Sequence, residues 1–370
     1  MFFRRVRESP STDATLDELT GGTAEQPRAV RRRRHRLAVR ALMFCVIVLA
    51  AFLGFTVGGI YVVSERLGGQ IHRYPEVFGN LDEAIRPPVE PETKTFLIVG
   101  VDSRSLRRPG GDEPTGPVFA SSAQRSDVIM LMRINPDRAT GNVVSIPRDS
   151  WVTVPGRGLA KINSAYSFGG PSLLIRTVEA LTNIRVDHFG VIDFAGFQQM
   201  TDALGGIDVN IAAPTRYGDV QFHAGRNHLD GRKALIYVRQ RHDLPRGDLD
   251  RVRRQQNALR ALIGSIASAG MLSDAARAYD LLNVVTRWIG VDDTLTNARL
   301  RSLAFEMRYV NASGINFLTA PVRGTGREGD QSVVYLDPGR ATEFWHSFGE
   351  DDIVEYVKKY PEDVLGESPR

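Results

Sequence analysis

Cysteine is almost absent from this 370-residue chain: the single one, Cys45, lies inside an apolar run. That excludes a disulfide framework, a thiol mechanism and a thiolate zinc site from everything beyond that run. Histidine is sparse as well, seven residues scattered singly, which leaves no histidine metal cluster. His188, opening the apolar segment HFGVID, reads as structural rather than catalytic. Broad positive charge is also missing from most of the chain. The formal net charge is +4, but residues 1–40 hold ten arginines against five acids, so residues 41–370 carry a net charge of −1. A nearly neutral body has no field for duplex nucleic acid, although a local arginine pocket remains open to it.

What is present begins with a long apolar run. The 23 uncharged residues from Ala41 to Val63 exceed the roughly 20 needed to cross a bilayer. No small-residue cleavage site follows them, so they read as a transmembrane helix and not as a secretory signal. Arg31, Arg32, Arg33, Arg34, Arg36 and Arg40 flank one side only. The positive-inside rule then puts the N-terminus in the cytoplasm and everything after about Glu65 outside. Five segments follow: a disordered basic tail (1–40), the membrane helix (41–63), a connector (64–93) stiffened by Pro87, Pro88 and Pro91, an outer domain (94–350), and a closing helix and tail (351–370).

Within the outer domain, TFLIVGVDSR reads as a strand ending in a polar turn, and DVIMLMRI with NVVSIPRD as a hairpin closed by NPDRATG. Residues 107–122, rich in Gly, Pro and Ser, read as a mobile loop beside a site. PSLLIRTVEALTNI, HFGVIDF, AGFQQMTDALGG and IDVNI then alternate helix with strand. Helical patterns cover 273–288 and 294–305, INFLTAPV and SVVYLD are strands, and PGRATEFWHSF is a helix. This rhythm predicts an α/β fold, a three-layer sandwich with a central mixed sheet flanked by helices.

The most informative stretch is YVRQRHDLPRGDLDRVRRQQ, Tyr237 to Gln256, which packs six arginines around one turn. Pro245 and Gly247 break the chain, Asp248 caps, and the spacing of Val252, Leu259, Leu262, Ile263 and Ile266 predicts a helix from about Asp250 to Ala269. On it Arg251, Arg254 and Gln255 share or border one face near the positive dipole end. Arg239 and Arg241, two apart, would project to one side of an extended segment. Guanidinium forks bind phosphate oxygens bidentately, so the constellation reads as a phosphate clamp. Asp102 ends one strand and Asp127 opens the next, after Arg125; two such carboxylates would suit Mg²⁺. Spacing alone equally allows Asp102 as a turn former and Asp127 as the ion-pair partner of Arg125 or Arg148. Arg148 ends the strand in IPRD, and Lys161 opens KINSAYSFGG.

Six blocks in order carry a resemblance: GVDSR (100–104), RSD (125–127), SIPRDS (145–150), KINSAY (161–166), DALGGIDV (202–209) and RQRHDLPRGDLDRVRRQQ (239–256). Together they resemble the LytR-CpsA-Psr family over about residues 94–348, and the arginine and alanine usage suggests an actinobacterial member. The resemblance implies a phosphotransferase that moves a glycopolymer (arabinogalactan, teichoic acid or capsule type) from a polyprenyl-diphosphate carrier to peptidoglycan at the outer face of the cell membrane, where its partners are the carrier lipid and the wall. It implies Asp102 and Asp127 as ligands of Mg²⁺ (or Mn²⁺) and, with Arg251, as catalytic residues. Arg125, Arg148, Lys161, Arg239, Arg241, Arg251 and Gln255 would bind the diphosphate. Asp250 departs from the pattern, since many members have a small residue there. The appended C-terminal domain of some relatives is not expected. A phosphatase or diphosphatase using water as acceptor is the alternative. A DNA-binding regulator is disfavoured, because the topology keeps the domain from the chromosome and the short tail has no helix-turn-helix pattern. For the lipid, the helical segments 173–181 and 194–204 are the expected lining.

Overall fold

Alternation along one strand sets the architecture. In Lys94–Val101 (β2) Leu97, Val99 and Val101 face one way and Ile98 the other, so both faces of the strand are apolar and both are covered. The computed structural model describes residue 62 and residues 64–102, 126–241, 244–268, 275–306 and 312–369. Its strands are His72–Tyr74 (β1), β2, Ser126–Ile134 (β3), Gly141–Ser145 (β4), Trp151–Val154 (β5), Gly158–Lys161 (β6), His188–Asp193 (β7), Ile207–Ile211 (β8), Thr215–Tyr217 (β9), Val220–Phe222 (β10), Gly225–Leu229 (β11), Ile289–Asp292 (β12), Ile315–Thr319 (β13), Val322–Glu328 (β14) and Gln331–Leu336 (β15). Seven form the main sheet in the order β1-β12-β7-β2-β3-β4-β13. The pairings β1/β12, β7/β2 and β4/β13 are parallel and the others antiparallel, so the sheet is mixed, as expected.

Helices Ile162–Thr182 (α1) and Pro338–Gly349 (α7) cover the face of Leu97, Val99 and Val101. Phe194–Ala203 (α2), Gly231–Arg239 (α3) and Asp248–Ser268 (α4) cover the other, beside Val128 and Met130. Ala275–Trp288 (α5), Asn297–Glu306 (α6) and Val354–Lys359 (α8) are further helices, and residues 64–68 are helical ahead of β1. The result is the anticipated three-layer sandwich.

Several details differ from the sequence reading. The connector is no linker: β1 adds a strand to the sheet edge, Tyr74, Val77 and Leu81 enter the core, and Arg86 pairs with buried Glu179 at 2.8 Å. Helix α1 runs back through KINSAYSFGG, breaking helical geometry only at Gly169 and Gly170. The tail also packs in, Tyr356 entering the core and Leu365 N donating to Phe317 O. Residues 64–370 therefore form one compact unit. The expected tail (1–40), the membrane helix (41–63, apart from residue 62) and the loop (107–122) lie outside the described residues. Among those described, no helix is long and apolar enough to cross a membrane.

Candidate functional site

The site is built where β2 and β3 end. The β2/β3 register runs Gly100↔Val128 and then skips to Val101↔Ser126, leaving Asp127 as the extra residue of a β-bulge. A bulge re-aims a side chain that the regular pleat would hold to one face. Gly100 permits it, since a Cβ there would lie 2.8 Å from the Val128 side chain. Asp127 so placed accepts a hydrogen bond from Arg148, which follows β4 on the neighbouring strand. Asp102, just past β2, accepts from Arg239. Both predicted carboxylates thus sit at one end of adjacent strands, each held by a guanidinium.

Helix α4 supplies the opposite wall. Gly247, at φ +53, makes the turn that starts it, and Asp250 consolidates that turn. Its fully buried carboxylate accepts from Arg246 N at 2.9 Å, Nε at 2.8 Å and Nη2 at 2.6 Å. This is the physical role of the acid that departs from the family pattern. Arg251 Nη2 lies 2.5 Å from Asp248 Oδ1, yet neither it nor Nε has an aligned hydrogen-bond acceptor. Arg148 Nε is also unsatisfied, at 3.7 Å from Asp149 and 4.0 Å from Asp248. Buried donors left without acceptors are costly, and an anion entering between these two arginines would relieve that cost.

Between the walls lies a cavity of about 510 Å³ lined by Asp127, Arg148, Phe194, Gln198, Tyr217, Arg232, Leu235, Ile236, Val238, Arg239, Arg241, Arg251 and Gln255. Five arginines face it against one carboxylate. Burial drags the Arg251 guanidinium below its ordinary value; Asp248 opposes this, while Arg148 adds to it. Arg148 goes the other way: burial lowers it, but Asp127, Asp248 and Asp149 more than offset that. Both stay cationic at any physiological pH, so the site's charge is fixed.

Of the residues read from sequence, Asp127, Arg148, Arg239, Arg241, Arg251 and Gln255 line the cavity. Asp102 and Lys161 stand behind it. Asp102 is tied to Arg239, and Lys161 Nζ is 3.1 Å from Asp149, which neighbours Arg148. Arg125 lies outside the described residues. Two expectations are corrected. Arg239 is not in an extended segment but is the last residue of α3, which Asp230 caps by accepting from Lys233 N; the chain extends only at Gln240. Arg254 does not line the cavity: it is fully buried and turns to Gln240 and Thr215. The sequence reading missed Gln198, Tyr217 and Arg232 on the lining and Asp149 behind it. GRK at the start of α3 and PRD after β4 were the available signals.

A smaller apolar cavity of about 80 Å³ adjoins the first. Phe194, Val238 and Gln255 line both, and Ile98, Val128, Met130, Phe197, Met200, Leu259 and Leu262 continue the second. Helix α2 contributes to this lining as anticipated, but 173–181 does not, because α1 covers the opposite face of the sheet. Among the described residues, no group of three or more His, Cys, Asp or Glu is arranged to hold a metal.

The LytR_cpsA_psr family model matches residues 79–347. The cell wall biosynthesis protein LcpA of Corynebacterium glutamicum is 33% identical over 302 residues, covering 72% of this chain and 57% of that protein. The polyisoprenyl-teichoic acid–peptidoglycan teichoic acid transferase TagU of Oceanobacillus iheyensis is 32% identical over 247 residues, 64% of this chain and 72% of the relative. The chain thus spans little more than half of the LcpA it matches. Among solved structures, TagV of B. subtilis superposes with a TM-score of 0.57 at 24% identity, over 71% of this chain and 98% of its own. A LytR-Csp2A-Psr enzyme from Actinomyces oris gives 0.55 at 22%, over 75% and 96%. Those two likenesses speak for the fold, and the sequence matches go further: the chain belongs to the LytR-CpsA-Psr family.

Proposed function

We propose that this chain transfers a cell-wall glycopolymer from a polyprenyl-diphosphate carrier to peptidoglycan. The observation that carries the reading is the junction of the two cavities. A pocket with five arginines shares Phe194, Val238 and Gln255 with one lined almost wholly by apolar side chains. That is the complement of an amphiphile with a diphosphate head and a hydrocarbon tail. At about 80 Å³ the apolar cavity holds only a few methylene groups, so a polyprenyl chain enters only if the α2 and α4 side chains spread. The names of the TagU and LcpA relatives support the substrate class and a wall acceptor.

Arg148, Arg239, Arg241 and Arg251 grip the diphosphate, with Gln255 beside them; the family resemblance adds Arg125 to this shell. Lys161 acts through Asp149, holding the Arg148 wall in place. A peptidoglycan hydroxyl attacks the glycan-side phosphorus and forms the new P–O bond. The bond from that phosphorus to the bridging oxygen breaks, polyprenyl phosphate leaves, and a phosphodiester remains. Positioning and charge neutralisation carry such transfers, and preorganised guanidiniums supply both. The hydroxyl proton passes to Asp102, to Asp127 or to water.

The acid pair also fits Mg²⁺ or Mn²⁺. Asp102 and Asp127 lie at neighbouring strand ends, and Mg²⁺ takes one or two carboxylates, completing its shell with phosphate oxygens and water. Bound there, it would neutralise diphosphate charge. The one-sided arginine cluster before Ala41 supports an extracytoplasmic domain on a single membrane helix at 41–63.

The test incubates the full chain, in detergent, with a synthetic polyprenyl-diphosphate glycan, Mg²⁺ and a peptidoglycan fragment, read by mass spectrometry. A phosphodiester adduct that Arg251→Ala abolishes is the expected result. Glycan phosphate released without adduct would assign a hydrolase instead, and no turnover at all would reject the enzyme reading.

A further inference from the structure

Three walls of the arginine cavity come from three separate elements. Arg251 and Gln255 stand on α4, Arg239 and Arg241 flank the end of α3, and Tyr217 closes the β9 strand. Behind them, away from the cavity, two side chains with no exposure meet: Arg254 and Gln240. Arg254 Nη1 donates to Gln240 Oε1 at 2.7 Å and Nη2 to Thr215 Oγ1 at 2.8 Å. Gln240 Nε2 donates to Arg216 O at 3.2 Å. The guanidinium lies over the Tyr237 ring, 4.7 Å from its centroid. One buried joint thus bonds all three walls together.

The geometry points to Arg254 and Gln240 as positioning residues that set the spacing of the anion-binding arginines. Gln240 has extended backbone, φ −62 and ψ 127, directly after α3, and its side chain is buried while Arg239 and Arg241 on either side line the cavity. Anchoring it inward directs Arg239 and Arg241 toward the cavity. On α4, Arg254 follows Arg251 by three residues and precedes Gln255, so holding it fixes the rotation of the helix that carries both. A fully buried cation is an expensive way to fill a core, and an apolar side chain of similar volume is often as stable. Here its yield is geometry: the walls are held at the separation two linked phosphates need.

This rests on the cavity being the diphosphate site, and the test separates the two ideas. Calorimetry on the full chain in detergent measures inorganic pyrophosphate and orthophosphate binding for the native protein, Arg254→Met, Gln240→Met and the double variant, alongside melting temperatures. Each single change is expected to weaken pyrophosphate about tenfold, since each breaks the Arg254–Gln240 hydrogen bond that joins the walls. Orthophosphate, which needs no matched spacing, should weaken less, so the selectivity ratio falls. The double variant should lose no more than either single one, because both changes release the same joint. Gln240→Met, nearly isosteric, keeps the test open where Arg254→Met fails to fold. A selectivity ratio unchanged while the melting temperature drops would overturn the positioning role and leave the pair merely structural. A native protein that does not bind pyrophosphate would remove the anion site, and this proposal with it.

Discussion

Asp127 and Arg148 are hydrogen-bonded across the ends of neighbouring strands, and only the β-bulge between Gly100 and Val101 frees the Asp127 carboxylate to make that contact. It is also the one carboxylate among the cavity-lining residues. Asp127→Asn keeps the shape and removes the charge. If Asp127 serves transfer through a cation, turnover falls on the order of 10²-fold, the scale of losing one electrostatic stabiliser at a reacting centre. Pyrophosphate affinity without metal should hold or rise, since a repelling charge has gone. Turnover near the native level with a lower melting temperature would reduce Asp127 to an ion-pair partner. Assaying both quantities on one preparation decides it.

Arg251 is 6% exposed, and two of its nitrogens have no aligned acceptor. Burying unsatisfied donors destabilises a fold, so the arrangement is better explained by binding than by stability. Arg251→Met also removes the ion pair with Asp248, but Arg148 stays within 4.0 Å of that carboxylate, so the melting temperature should change little while transfer drops on the order of 10²-fold. Thermal melting beside the mass-spectrometric assay checks both halves. A large fall in stability would mean that Arg251 is a structural cation.

The layers and most elements were legible because their signals are local. Alternating apolar residues mark β2 and β3, and glycine after helical spacing ends α2 near Gly205. Strands β1 and β12 were not legible. Stretches as short as His72–Tyr74 and Ile289–Asp292 cannot display a period, and their partners are distant in sequence. The clamp was visible as composition, six arginines in one segment, but its internal division was not. Arg251 and Arg254 sit three apart on one helix, and nothing local says that one faces the cavity while the other turns to Gln240 and Thr215. Reading Arg239 as extended failed for the same reason, since α3 packs against α2 and α4 and no local pattern displays that.

The apolar cavity yields a prediction that separates lipid from head group. Leu259 lines it on α4 and is only partly buried, so it tolerates enlargement better than the core does. Leu259→Trp fills the space at a stability cost of about 1–3 kcal/mol. Transfer from a long-chain polyprenyl donor should fall at least about tenfold, while pyrophosphate binding, made by the arginines, is unaffected. A donor with a very short prenyl chain should be spared relative to the long one. Equal losses for both donors would mean that the tail lies elsewhere.

Asp292 connects the acid limb of stability to the sheet edge. It ends β12, is fully buried, and accepts from Phe189 N at 2.9 Å and Thr294 N at 3.1 Å, with His188 Nδ1 3.5 Å away. Burial alone would raise its pKa, but His188, the Thr294 hydroxyl and the Phe189 amide outweigh burial and hold it below 3.8. A carboxylate depressed in the folded state stabilises above the unfolded value, and that stability is lost as pH falls through the lower folded value. The native protein should therefore lose melting temperature below pH 3.8, with Asp292 among the causes. Asp292→Asn keeps the shape but replaces one acceptor oxygen by a donor facing a backbone amide, which should cost about 1–3 kcal/mol at neutral pH. Because the variant cannot titrate there, the gap between its melting temperatures at pH 7 and pH 3 should be narrower than the native one. An equal gap in both proteins would show that other carboxylates set the acid limb, and that Asp292 holds β12 against β7 by hydrogen bonding alone.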